Sequence, residues 1–420
     1  MALLPLSRAC NVRSLKNKPI KAKKHWIFLR HQHRAMSFTK LFSFNVEYAP
    51  QYTITKYISS RTRMQLVHIN STASPMVEGY FAVPTEITND SGCPHTLEHL
   101  VFMGSQKYPF KSTLDIAGNI CMSTTNAWTA TDQTVYTLST AGWTGFKKLL
   151  PVYLDHLINP MLTDEACTTE VYHVDPETFQ DKGVVYSEME GIESQSWFIT
   201  SLEMQRLLFG KDSGYRSETG GLTANLRSLT NGEIRQFHKD MYSPDNMCLI
   251  ITGNVPESEL LQIVEEFDGS LDAVTEKRVR PFVETATAKT LVPHFDQDIV
   301  ESTVRFPEMD ESQGEMRFSW IASLYTEGVS DLALTCLLEY LTKGPLATFQ
   351  KELVEIEDPL ANFSEYDTDD YYRSILNLNF YGVPTEKLQE AKNAVLNILS
   401  THKVDVERMK QVIDSYKLDY

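Results

Sequence analysis

The chain has 420 residues, 42% of them hydrophobic and 22% charged, which is enough to bury the cores of two or three domains. Fifty-five acids against 39 Lys and Arg give a net charge of −16; nine of those bases and no acid fall in the first 35 residues, so the remainder lies near −25. An acidic body excludes a nucleic-acid face, and no apolar run is long enough to cross a bilayer, so neither nucleic acid nor a membrane is expected as a partner.

The leader carries Arg8, Arg13, Lys16, Lys18, Lys21, Lys23, Lys24, Arg30 and Arg34 without an acid between them. It has the basic character of a mitochondrial transit peptide but is poor in Ser and holds two prolines, and Met36 opens a second start. Residues 1–42 are therefore expected to be a disordered basic extension. A cytoplasmic location is expected, with the mitochondrial matrix as the alternative.

From residue 43 the pattern alternates, predicting short strands over 52–58, 64–70 and 79–83. Asp90, Ser91 and Gly92 then supply a cap, and Pro94 suits the first turn of a helix. Strands are predicted over 123–130 and 134–140, followed by an amphipathic helix over 143–158 that Asn159-Pro160 ends. One helix is predicted over 184–208 and another from a capped start at Thr230 to Tyr242, then a buried strand over 247–252 and a helix over 256–267. Residues 271–300, with scattered charges, Pro281 and Pro293, read as a linker. Beyond it come a strand (316–322), helices (330–341 and 346–355), a strand (374–381) and helices (386–399 and 405–420), repeating the earlier order of elements.

The chemistry is concentrated at His95-Thr96-Leu97-Glu98-His99. Two histidines four apart on a helix lie one turn apart on one face and can share a metal ion. Glu98 sits beside that stripe, where it can act on water without ligating. The order HxxEH reverses the HExxH signature. A catalytic zinc takes a third protein ligand, and the stretch GVVYSEMEG offers Glu188 and Glu190, which lie about 200° apart on a helix and so cannot both face one ion. Six cysteines without a CxxC pair argue against a thiolate site or a disulfide framework. Gly210-Lys211-Asp212-Ser213 lacks phosphate-loop spacing, Gly220-Gly221 reads as a turn, and His173 as a loop residue.

HTLEH followed by LVFMGSQKYP, NAWTATDQTVYTLS and GVVYSEMEG resembles the insulysin and pitrilysin family of inverzincins, and among them the presequence protease branch. The resemblance covers residues 45–265 by motif and the rest by element order. It implies an α+β fold of two successive α/β-roll domains, each an antiparallel-rich sheet packed with helices: a zinc-binding catalytic domain over 43–270, the linker over 271–300, and a homologous non-catalytic domain over 301–420, incomplete here. It also implies one zinc ion per chain held by His95, His99 and Glu188, with Glu98 activating water. Asp181 stands where several relatives carry an assisting acid, seven residues before the ligand Glu. An extended peptide substrate would pair with the edge strand at Asn126, Ala127, Trp128 and Thr129. The expected function is zinc-dependent endopeptidase action on unfolded peptides; the alternative is a non-catalytic or partner-dependent subunit of the same fold. The family's clamshell has two halves, so this chain is expected to be the N-terminal half only, with a second half or partner chain closing the site.

Overall fold

In Val77–Pro84 every second residue turns inward: Val77, Gly79, Phe81 and Val83 are buried. This is β4 of a seven-stranded sheet built from β1 (Phe38–Val46), β2 (Ala49–Ser59), β3 (Gln65–Ser71), β4, β5 (Ser123–Thr129), β6 (Gln133–Thr140) and β9 (Cys248–Gly253). Its spatial order is β1-β2-β3-β9-β4-β6-β5, so β1 and β5 are the edges. All neighbours pair antiparallel except β3 with β9. A two-stranded pair, β7 (His173–Val174) and β8 (Asp181–Lys182), stands apart. The computed structural model describes residues 37–275, 299–324 and 328–419.

Helices bury their apolar stripes on this sheet. They are α1 (Cys93–Leu100), α2 (Thr113–Ile120), α3 (Trp143–Ile158), α4 (Asp164–Glu170), α5 (Val184–Glu193), α6 (Ser196–Leu208), α7 (Thr223–Leu226), α8 (Asn231–Met241) and α9 (Glu257–Asp268). Phe146 of α3 fits over Gly79, where a Cβ would come within 2.8 Å of its ring. Leu97 and Leu100 of α1 are fully buried in the same core as Phe81, Tyr136 and Leu249. At about 2 kcal/mol each, those two leucines fix the helix that carries the histidines. Thr230 and Glu233 close a capping box at the start of α8.

A three-stranded antiparallel sheet follows, β10 (Gln313–Leu324), β12 (Arg373–Pro384) and β11 (Phe363–Asp369) in that order, with α10 (Gly328–Thr342), α11 (Leu388–Thr401) and α12 (Val406–Asp419). Leu376, Leu378 and Phe380 turn to a second core with Leu341, Phe349, Val395 and Ile398. The alternate residues Asn377 and Asn379 turn the other way, into a polar layer with Arg317 and Asp367. This sheet meets the first region through Arg317, which donates to Ser201 of α6 at 2.7 Å, and through Tyr371, whose ring stacks on Tyr215 with centroids 4.6 Å apart.

Several elements differ from the expectation. The sheet begins at Phe38, inside the stretch 1–42 expected to be disordered, because β1 takes its order from backbone pairing to β2 although most of its side chains are exposed. Residues 1–36, and 276–298 of the expected linker, lie outside the described residues. The single helix expected over 184–208 is two, broken where Gln195 adopts extended geometry (φ −74°, ψ 143°) between Ser194 and Ser196. Short polar side chains favour such breaks, and the Ser196 hydroxyl donates to Glu315 instead of supporting a helix. The helix expected over 346–355 shortens to a π turn at Gln350–Val354. Strand β11, FSEYDTD, carries no apolar alternation: Glu365 and Asp367 pair with Asn379 and Asn377, and on its other face polar Ser364 and Thr368 flank Tyr366 opposite Phe380, Leu378 and Leu376.

Candidate functional site

Helix α1 starts at Gly92, whose φ of 77° lies in the left-handed region that favours glycine. A Cβ there would lie 2.7 Å from the carbonyl oxygen of Gly220 and 2.8 Å from Cα of Gly221, so only glycine lets the 220–221 loop rest on the start of the helix. Asp90 pins that loop, accepting from the Glu218 N–H at 2.8 Å and from Arg206 at 3.3 Å. The Gly220 carbonyl then stands 3.4 Å from Nδ1 of His95.

On α1 the rings of His95 and His99 meet edge to face, centroids 4.9 Å apart. Glu188 reaches them from α5: its Oε2 is 3.5 Å from Nε2 of each histidine. One donor atom from each of the three residues lies within 4.8 Å of the others. Two ligand atoms each about 2 Å from a common tetrahedral ion are themselves about 3.3 Å apart, which the two His–Glu distances approach, and two imidazoles with one carboxylate are donors of the kind a catalytic zinc takes. Burial, and then the neighbouring His99, push His95 below the ordinary histidine range, which keeps its lone pair available near neutral pH.

Glu98 points elsewhere, accepting a 2.6 Å hydrogen bond from the Thr129 hydroxyl. Burial raises its pKa, and the Thr129 hydrogen bond partly offsets that rise. The carboxyl group is also close enough to feel the charges of His95 and Glu188.

Asn126, Ala127, Trp128 and Thr129 lie on β5, an edge strand whose far side has no partner strand among the described residues. Trp128 is 41% exposed. Thr129 thus joins the strand to the base on α1. Asp181 lies on β8, just before α5. It pairs with Arg227 at 2.8 Å and accepts from Tyr172 at 2.7 Å and Tyr186 at 3.2 Å, and Arg227 and Tyr172 hold its carboxyl below the usual range. It acts on α5 through Tyr186. Glu190 lies 3.5 Å from the Tyr186 hydroxyl, away from the histidines, and His173 holds the Thr168 carbonyl. The sequence reading missed Gly220 and Glu170, whose Oε2 lies 3.9 Å from Nδ1 of His99. Neither carries a local signal, since both meet the site across long stretches of chain. Among the described residues no helix is long and apolar enough to cross a membrane.

The family profile described as insulinase (peptidase family M16) matches residues 85–187, and that of the peptidase M16 inactive domain matches 228–413. An uncharacterized protein of Saccharomyces cerevisiae is 59% identical over 387 residues, covering 92% of this chain and 37% of that protein. The mitochondrial presequence protease of Xenopus tropicalis is 28% identical over 348 residues, covering 79% and 33%. The chain therefore spans about a third of the length of these curated relatives. Among solved structures, a protease from Helicobacter pylori superposes with a TM-score of 0.68 at 17% identity over 87% of this chain and 84% of that one. Pitrilysin gives 0.62 at 14% identity over 89% and 39%. These likenesses show the fold.

Proposed function

This chain belongs to the insulinase family of peptidases, M16, and from that premise we propose that it is a zinc-dependent endopeptidase acting on unfolded peptides. The observation that carries this reading is the convergence of His95, His99 and Glu188 beside a half-buried Glu98. His95, His99 and Glu188 would hold one zinc ion. Zinc bound there supplies Lewis acidity, polarising a peptide carbonyl and making water nucleophilic near neutral pH. Glu98 takes the proton from the attacking water and returns it to the leaving nitrogen, and Thr129 holds its carboxylate in place meanwhile. The free edge of β5 pairs with the substrate backbone, which gives grip with little dependence on side chains.

The second reading is a binding or partner-dependent subunit of the same fold. It is favoured by the match of 228–413 to an inactive-domain profile. A second half or partner chain would then close the site. The matched presequence proteases are mitochondrial, which favours the matrix reading of the basic leader over the cytoplasmic one.

The test is zinc content of the purified chain beside Glu188→Gln and Glu98→Gln, with cleavage of a quenched unstructured peptide followed in parallel. One zinc per wild-type chain, retained in Glu98→Gln and largely lost in Glu188→Gln, is expected. Cleavage is expected to fall at least ~100-fold in both variants. Zinc without wild-type cleavage favours the partner-dependent reading, and folded wild type that binds no zinc ends the zinc-endopeptidase reading.

A further inference from the structure

Each histidine uses its two ring nitrogens in the same way. Nε2 of both faces Glu188, and Nδ1 of both faces an acceptor: the Gly220 carbonyl at 3.4 Å for His95, and Glu170 at 3.9 Å for His99. A neutral imidazole carries one N–H, and an acceptor at Nδ1 keeps the proton there and the Nε2 lone pair free for a cation.

We propose that Glu170 is the positioning carboxylate of His99. The inference rests on the zinc reading and deepens it. Glu170 ends α4, where the helix dipole disfavours an acid, and its side chain is only 14% exposed. A carboxylate in that position needs donors. Lys111 supplies one from 3.4 Å, but its own side chain is 63% exposed and holds Glu170 from the solvent side alone. Nδ1–H of His99 is the donor on the inner side, and a rotation of the Glu170 carboxylate by under about 1 Å completes the hydrogen bond. Asp181 is occupied by Arg227, Tyr172 and Tyr186. The negative charge of Glu170 fixes the His99 tautomer and ring plane and strengthens its donor nitrogen.

The test uses the full chain and zinc alone. Zinc affinity is measured by competition with a chromophoric chelator for wild type, Glu170→Ala, Glu170→Gln and Glu188→Gln, and metal-free thermal unfolding reports whether each variant folds. Glu170→Ala is expected to bind zinc about 10- to 100-fold more weakly at unchanged stoichiometry. Glu170→Gln keeps an acceptor oxygen and loses the charge, so it should fall by a smaller factor, several-fold. If Glu170→Ala does not fold, the near-isosteric Gln variant decides. Wild-type affinity in the folded Glu170 variants, with Glu188→Gln clearly weakened, overturns the proposal and leaves the zinc site standing. Wild type that binds no zinc overturns the site itself and this proposal with it.

Discussion

The two sheet regions of this chain both gather polar side chains, and they do so with opposite results. In the three-stranded sheet Arg317 donates to Asn379, Asp367 and Ser201, and Asn377 and Asn379 donate back to Asp367 and Asp369. Every charge there meets a partner within the layer, so the layer is a structural joint. On the helices beside the seven-stranded sheet His95, His99 and Glu188 converge without an opposite charge from a further described residue among them, and in the zinc reading proposed above they turn acceptor atoms toward one cation. Clustered polarity is therefore ambiguous until its donors and acceptors are matched: a matched network holds a fold together, and a surplus of acceptors would mark a cation site.

The comparison can be broken or sharpened by substitution. The largest effect is expected from Gly92→Ala, which forces a Cβ against Gly220 at a positive φ. It should cost about 2–3 kcal/mol by denaturant unfolding and weaken zinc binding with it. Arg317→Ala leaves Asp367 without its cation and should cost about 2 kcal/mol, reduced by the partial exposure of Asp367, while zinc affinity stays at the wild-type value. A parallel loss of zinc affinity would erase the distinction between joint and site.

Asp132, in the turn between β5 and β6, is raised by burial from 3.8 to about 6. The folded chain thus holds a proton that the unfolded chain has released between those values, and the stability this contributes is full below about pH 4 and lost as pH rises through 6. Asp132→Asn should accordingly stabilise by about 1–2 kcal/mol at pH 7 and by nothing below pH 4 in thermal melts across pH. The smallest effect is expected from Thr129→Val. Removing the hydroxyl that lowers the Glu98 pKa should move the acid limb of the pH–activity profile upward, and an unmoved limb would detach Thr129 from the base.

Much of this was legible in the sequence wherever the cause is local. The HxxEH spacing sets two imidazoles on one helical face, and the capping box at Thr230 and the alternation of Val77–Pro84 act within a few residues. Glu188 came from resemblance, since spacing alone left Glu190 as its rival. What stayed hidden acts across the chain: the Gly220 carbonyl is 125 residues from His95, and Glu170 reaches His99 only because α4 packs on α1. Strands β1 and β11 escaped for a related reason, because backbone pairing, rather than an apolar face of their own, gives them order.

The donor set also has a topological consequence. His95 and His99 stand on one helix and Glu188 on another, with almost ninety residues of chain between them. An ion bound by all three ties that span into a ring, as a disulfide would, and a cross-link of that loop length restricts the unfolded chain by up to about 4–5 kcal/mol. Removing the ion should therefore loosen Val184–Glu193 ahead of the sheet, and amide exchange with and without zinc should show the protection of that helix falling first.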